Sequence, residues 1–350
     1  MTTALNIEDL RFTPPSLSEA DLLIHVRASH GLRGELQALS GERDQNFRLI
    51  DEEGDQWLLK VASPLEPPAL VDFQIEALRH IEREAPLLPV PRMRPDLKGD
   101  FCSVLQAPDG QEYRVRLLSF IPGTPLSQLD AIDEPTVRAV GAMQARLCKA
   151  LSGFRHPAEG LFMPWDTMNG LVTSSQLRSY IPDHLLKDCE PALEFLQAEA
   201  LPALATLPSQ VIHNDGHSGN VLYDASRPGE VVGIIDFGDM VHRPVIVDLA
   251  VSLVSLCEHG NSIIAAARNL LAGFQSELAL PQAQLELLYD ALLARSLLTV
   301  QLLGFRCRHR AAGHESIRKY DLPQSIATLQ SIIETPRETF NEALRASAGA

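Results

Sequence analysis

Apolar and polar positions alternate in short runs through the first third of the chain and recur at helical spacing through the rest. NFRLID, EEGD and QWLLKVA predict two strands joined by a tight turn. Phe47, Leu49, Trp57, Leu59 and Val61 supply the partial alternation, and Gly54 supplies the turn. From Pro68 to Glu84, the apolar positions Leu70, Phe73, Ile75, Leu78 and Ile81 fit one face of a helix. FCSVLQAP and EYRVRLLSFI predict two more strands around a turn at Asp109 and Gly110. Upstream, a polar arm with Pro14-Pro15 leads into a helix over about residues 18–30.

Pro122-Gly123 punctuates the chain, and strand signals then become rare. EPTVRAVGAMQARLCKAL reads as a helix with Asp133 or Glu134 near its start. Residues 152–180 mix Gly, Pro and Trp and predict an irregular insertion, followed by a helix over about 183–204. VDLAVSLVSLCEHG, SIIAAARNLLAGFQSEL, QAQLELLYDALLARSLLTVQLLGFRCRHR and a last segment near 323–346 are helical in pattern. A strand-rich first part and a helix-rich remainder predict an α+β chain of two lobes, residues 1–121 and 122–350, with a cleft between them.

Composition narrows the function classes. The 350 residues are 45% hydrophobic and 21% charged, as in a globular protein with a substantial core. The net charge of −15 speaks against a nucleic-acid binder and mildly favours a cationic substrate. The five cysteines are scattered and never form CxxC, which argues against a disulfide framework or a zinc site. No unbroken apolar run reaches the ~18 residues of a membrane span, and MTTALNIEDLRF lacks the apolar core of a signal peptide. A cytoplasmic location is the expectation, with neither membrane nor nucleic acid as a partner.

The chemistry concentrates in VIHNDGHSGNVLYD, residues 211–224, where His213, Asn214, Asp215, His217 and Asn220 crowd between strand-like segments. Asp236 follows in VVGIIDFGD. Two carboxylates and an amide oxygen are hard donors that suit Mg2+, which takes one or two carboxylates and completes its shell with phosphates and water. Gly216 and Gly219 permit a compact loop. Phosphoryl transfer needs a carboxylate to orient an acceptor hydroxyl and an amide with a second carboxylate to hold metal.

H-N-D-x-H-x-x-N followed by I-I-D-F-G-D resembles the aminoglycoside phosphotransferase and choline kinase superfamily, over roughly residues 38–310. The resemblance implies a protein kinase-like fold with a small β-rich N-terminal lobe and a larger helical C-terminal lobe. It makes Asp215 the catalytic base and Asn220 and Asp236 the metal ligands. It implies ATP, with GTP as the other nucleotide open, and Mg2+. Lys60, at the end of WLLK, would reach the α- and β-phosphates, and Glu76 on the next helix could pair with it. In RLLSFIPGTPL, backbone groups of Ser119, Phe120 and Ile121 would bond the adenine edge. The loop SGERDQNF has only Gly41 where a protein kinase has a glycine-rich cradle; Asp44, Gln45 and Asn46 either order it or meet phosphate. His213 and His217 support the loop rather than react. Asn214 stands where the superfamily often has glycine. Asp248 either receives backbone N–H groups of the loop or simply starts a helix.

The motifs leave the acceptor open. DQNF, LLSFIPGTPL and IIDFGDM look most like the branch that contains hydroxylysine kinase, which implies a small hydroxylated amino acid or amino alcohol. Homoserine, choline-like and aminoglycoside acceptors compete. Asp166, Asp239 and Glu258 are candidates for an ammonium group, and Trp165 offers a cation–π face or is a core aromatic. Arg306, Arg308, His309 and Arg310 either bind an acceptor carboxylate or form a solvated helix end. A nucleotide-binding regulatory protein without turnover is the alternative from another class. Only residues 237–247 separate Asp236 from Asp248, too few for the activation segment that a protein substrate would need.

Overall fold

The computed structural model describes residues 14–108, 110–170, 174–227, 229–309 and 322–348. Two compact units meet in sequence at Ile121/Pro122.

The first unit is a sheet with two helices. Helix α1 (Glu19–His30) begins at Ser18, whose hydroxyl accepts from the Asp21 N–H, and stops at Gly31 in the left-handed conformation. Strands β1 (Gly34–Leu39), β2 (Gln45–Asp51) and β3 (Gln56–Val61) form an antiparallel meander. Helix α2 (Pro68–Glu84) follows, over the span its periodicity predicts. Then come β4 (Met93–Arg94), β5 (Ser103–Gln106) and β6 (Glu112–Ser119), with β6 against β3 and both shorter strands on β6. Strand β1 was not foreseen. Its sequence, GELQAL, is half-buried to exposed along its length, so it carries little apolar alternation to read. Leu22 and Val26 of α1 pack with Phe47, Leu49, Leu59, Val61, Leu105, Val115 and Leu117 into one buried core. Of the turn expected at Asp109 and Gly110, Gly110 has φ +83°, and Asp109 lies outside the described residues.

The second unit is mostly helical. It contains β7 (Thr124–Pro125), α3 (Glu134–Ala150), the short helices α4 (Thr167–Gly170) and α5 (Ser174–Leu177), and α6 (Asp183–Phe195). The helix expected to run on to residue 204 instead changes winding after Phe195. Leu196–Ala200 forms a wider π-type turn before α7 (Leu201–Ala205), in a stretch that carries Pro191 and Pro202. Next come β8 (Ser209–Ile212), β9 (Val221–Tyr223), β10 (Val231–Ile234), β11 (Val241–Pro244) and α8 (Val245–Glu258). The chain continues as α9 (Ile263–Gln275), α10 (Gln282–Leu285), α11 (Leu288–His309), α12 (Leu322–Glu334) and α13 (Arg337–Ala348).

Helices α3 and α9 touch backbone to backbone. A Cβ on Gly141 would lie 2.0 Å from the Leu270 carbonyl, and one on Gly273 would lie 1.9 Å from that of Arg138. The stretch Gln282–His309 is long and apolar enough to cross a membrane by composition, but 83% of its most apolar window is buried inside the protein. Buried here, α11 is the helix around which α8, α12, α4 and α5 assemble. The five cysteines are all free.

Candidate active site

Two strand pairs frame the polar cluster. Strand β8 pairs antiparallel with β11, Ile212 opposite Val241, and β9 pairs with β10, Val221 opposite Ile234. The chain from His213 to Asn220 therefore runs from one pair to the other. The Ile235 N–H donates to the Asn220 carbonyl (2.9 Å), so Asn220 and Asp236 emerge from the same end of the β9–β10 hairpin.

Asn214 and Asp236 both have left-handed backbones, φ +61° and +64°, a cost of order 1–3 kcal/mol each that surrounding bonds must offset. At Asn214 those bonds are visible. Its N–H donates to Asp248 Oδ1 (2.6 Å), and its amide donates to the carbonyls of Asp239 (2.9 Å) and Trp165 (3.3 Å). Asparagine therefore does at this turn what glycine does elsewhere and fastens it as well.

Asp215 is held from three sides. Its N–H donates to His213 Nδ1 (3.3 Å), and its Oδ2 accepts from Asn220 Nδ2 (2.6 Å). Nε2 of His217 stands 3.7 Å from the same oxygen. Gly219 N–H donates to His217 Nδ1 (3.0 Å), which puts the imidazole proton on Nε2, toward Asp215. Asn220 also donates to the Asp215 carbonyl (3.0 Å), so its amide nitrogen is committed to Asp215 and its Oδ1 is turned away.

His213 is fully buried with its ring edge-on to Phe237, centroids 4.7 Å apart. Burial lowers its pKa to about 4, against the pull of the Asp236 carboxylate, so it is neutral near pH 7. Asp248 is fully buried as well; burial raises its pKa to about 6, opposed by the Asn214 N–H and Arg295.

Asp248, Ser252, Ser255 and His259 lie at helical spacing on and just past α8 and form a polar stripe against the loop. Ser252 Oγ donates to the Gly216 carbonyl and accepts from Gln144 Nε2 (2.7 Å). Ser255 Oγ accepts from the Ser218 N–H (3.0 Å), and His259 Nε2 lies 3.0 Å from Ser218 Oγ. Asp248 was expected to receive the loop's N–H groups; the rest of the stripe and Gln144 were not singled out from the sequence, although a serine, serine, histidine series on an otherwise apolar helix is a readable signal.

Arg295, on α11, was missed as well. It is 5% exposed, donates to the Trp165 carbonyl (2.7 Å), and feels the charges of Asp215, Asp239, Asp248 and Glu258. The Trp165 ring has the Arg295 and Arg306 guanidinium groups 5.0 and 4.8 Å from its centroid, so its cation partners in this structure are the protein's own. Asp166 is bound by Arg243 (2.7 Å) and capped by the Met168 N–H (3.0 Å), an internal tie rather than an open carboxylate. Asp239 is 7% exposed, and Glu258 accepts from Ser325 Oγ (2.6 Å). Of the basic series, Arg306 is buried, Arg308 bonds the Ser179 carbonyl, His309 meets the Tyr180 hydroxyl, and Arg310 lies outside the described residues.

In the first unit, Lys60 Nζ lies 3.2 Å from Asp44 Oδ2, both side chains buried. The pair expected between Lys60 and Glu76 does not form. Glu76 sits on a half-exposed face of α2 and pairs with Arg79 at 2.7 Å, the i,i+3 neighbour that helical geometry brings to it. Ser119 and Phe120 spend their N–H groups on the carbonyls of Arg92 (2.8 Å) and Gln56 (3.2 Å). Among the described residues the Ile121 N–H has no intrachain acceptor. The Gln45 side chain exchanges two hydrogen bonds with the Leu17 backbone, which orders the loop before β2.

Among the described residues no group of three or more His, Cys, Asp or Glu side chains is placed to hold a metal ion. The Asp236 carboxylate and the Asn220 amide oxygen are hard donors that could hold a cation of the kind that completes its shell with phosphate and water.

Comparison with known proteins gives the family and the fold. The family profile described as Phosphotransferase enzyme family matches residues 35–284. Hydroxylysine kinase of Mus musculus is 23% identical over 315 residues, 84% of each chain. That of Danio rerio is 25% identical over 293 residues, 80% of this chain and 82% of its own. Among solved structures, a microcompartment-associated aminopropanol kinase superposes with a TM-score of 0.70 at 18% identity, covering 90% of this chain and 95% of that one. An amicoumacin kinase, solved with AMP-PNP and Ca2+, gives 0.67 at 17% identity over 93% and 94%. These likenesses establish the α+β, kinase-like fold.

Proposed function

The chain belongs to the phosphotransferase enzyme family, and on that premise we propose that it is a hydroxylysine-type kinase, which transfers the γ-phosphate of ATP to the hydroxyl of a small amino acid or amino alcohol. The observation that carries the mechanism is the short bond from Asn220 Nδ2 to Asp215 Oδ2 on a loop fastened to Asp248. Asp215 is the base. Its Oδ2 is oriented by Asn220 and His217, and the carboxylate receives the acceptor's hydroxyl proton. Asn220 Oδ1 and Asp236 hold the divalent cation, Mg2+ in this reading. When bound, that ion neutralises the phosphate charge. Lys60 contacts the α- and β-phosphates, and the Ile121 N–H donates to the adenine edge. Residues 1–121 thus serve the nucleotide, and residues 122–350 serve catalysis and the acceptor.

An amine acceptor follows from charge. The carboxylates of Asp215, Asp239, Asp248 and Glu258 all act on the Arg295 guanidinium, and a region this rich in carboxylates favours an ammonium group. Arg306, buried beside Trp165, is the cation for an acceptor carboxylate.

A coupled ADP-release screen over hydroxylated amino acids, amino alcohols and aminoglycosides tests the reading. Metal-dependent turnover with 5-hydroxylysine or a close analogue is the expected result. Turnover confined to aminoglycosides, or none with any hydroxylated amine, would contradict it.

A further inference from the structure

The register of β3 and β6 sets Lys60 directly opposite Arg116. Like charges facing each other across a strand pair repel, and both side chains are buried. One oxygen reconciles them: Asp44 Oδ2 lies 3.2 Å from Lys60 Nζ and 3.2 Å from an Arg116 nitrogen. Arg116 is itself immobilised from helix α2, because it donates to Gln74 Oε1 at 2.5 Å. Gln74 Nε2 in turn donates to Glu66 Oε1 (3.3 Å). Glu76, two residues along the same helix, is taken by Arg79.

We propose that Asp44 is the residue that positions Lys60 for the nucleotide phosphates, and that α2 is tied to Lys60 through Gln74, Arg116 and Asp44 rather than through Glu76. The inference rests on the assignment of Lys60 to phosphate contact. Lysine is a point charge on a flexible stem and takes its place from whatever anion is fixed nearby. Asp44 is such an anion, because the planar Arg116 fork, locked by Gln74, fixes the carboxylate in turn. Without that carboxylate the two buried cations lose the anion they share, and Lys60 moves away from Arg116 and out of register with a phosphate. Glu66 is a poor substitute: burial pushes its carboxyl pKa upward. The arrangement also gives a use to a loop with a single glycine. Its carboxylate sets the lysine, where a glycine-rich loop would wrap the phosphates.

Calorimetric titration of the full-length protein with Mg-ATP reads this without an acceptor. Asp44→Asn is expected to weaken binding at least about tenfold, Arg116→Lys about three- to tenfold, and the double variant no more than Asp44→Asn alone. The loss from Glu76→Gln is expected to be at least about fivefold smaller than that from Asp44→Asn. KM for the acceptor at saturating ATP stays at the wild-type value in both single variants of the Asp44–Arg116 pair, which separates a positioning role from general damage. Arg116→Lys keeps a buried cation and reports even if Asp44→Asn does not fold. Wild-type Mg-ATP affinity in Asp44→Asn or Arg116→Lys, or a loss in Glu76→Gln as large as in Asp44→Asn, would overturn the inference alone. A wild-type protein that binds no Mg-ATP would overturn the functional reading and this inference with it.

Discussion

Two buried residues beside Asp215 carry opposite costs. His213 is kept neutral, its pKa lowered to about 4 by burial, and Asp248 is pushed up to about 6 by the same cause. A lowered histidine stabilises the fold fully above its unfolded value near 6.5, and that stability is lost as pH falls toward 4, because only the unfolded chain takes up the proton there. The expected loss across that window is about 3 kcal/mol. Urea unfolding at pH 7, 6 and 5 checks it: the slope should flatten in His213→Asn, and parallel curves would remove the assignment. Asp248 works in the reverse sense. The cost of keeping it ionised is present above pH 6 and relieved as pH falls toward its unfolded value near 3.8, so it offsets part of the His213 slope. At this scale the sequence revealed which residue types were chemical but not all of their pairings. Glu76 looked like the partner of Lys60 because it lies on the next helix, but the pairing of β2 with β3 sets Asn46 opposite Lys60 and brings Asp44, just before β2, to 3.2 Å from its Nζ. Register is set by packing and is not written in any one residue.

Helix α8 does more than its apolar sequence suggests. One stripe of it, Asp248, Ser252 and Ser255 with His259 beyond, receives the backbone of the 214–218 loop. Ser252→Ala would take the hydroxyl donor from the Gly216 carbonyl and one of two acceptors from the Gln144 amide, at a cost of about 1–3 kcal/mol. Thermal unfolding should show that loss, and kcat should fall by a larger factor than the KM for ATP changes, since the loop carries the proposed base and not the proposed nucleotide lysine. Unchanged kcat in a destabilised variant would make the stripe purely structural. Elements with strong periodicity were legible: α2 has the bounds its sequence predicts, and α1 and α3 lie within a residue of theirs. Those whose form depends on context were not. Strand β1 lies exposed at a sheet edge, and the π-type turn after Phe195 follows from tertiary fit around two prolines rather than from local pattern.

On the scale of the whole chain, the family and its kinase-like fold follow from a profile over residues 35–284 and from neighbours with TM-scores of 0.70 and 0.67. The motif residues between His213 and Asp236 were enough to point there, because phosphoryl transfer constrains residue type and spacing together. Acceptor recognition was less legible, since it depends on which carboxylates are already paired. Asp166 belongs to Arg243, Trp165 is flanked by arginines, and the buried Arg295 had no motif to announce it. If Arg306 binds an acceptor carboxylate, Arg306→Gln should raise KM for an amino-acid acceptor by about tenfold or more and leave that for the matching amino alcohol nearly unchanged. Equal effects on the two acceptors would place Arg306 in packing against Trp165 only.

The assignment of Asp215 as base to a hydroxylated amine is the point on which the account turns. Mass spectrometry of the acceptor after incubation with Mg-ATP, for the wild type and Asp215→Asn side by side, tests it most directly. The account predicts an O-phosphorylated amine from the wild type, and a rate about 10²- to 10⁴-fold lower from the variant, which still binds Mg-ATP. Product formation at the wild-type rate by Asp215→Asn would contradict it.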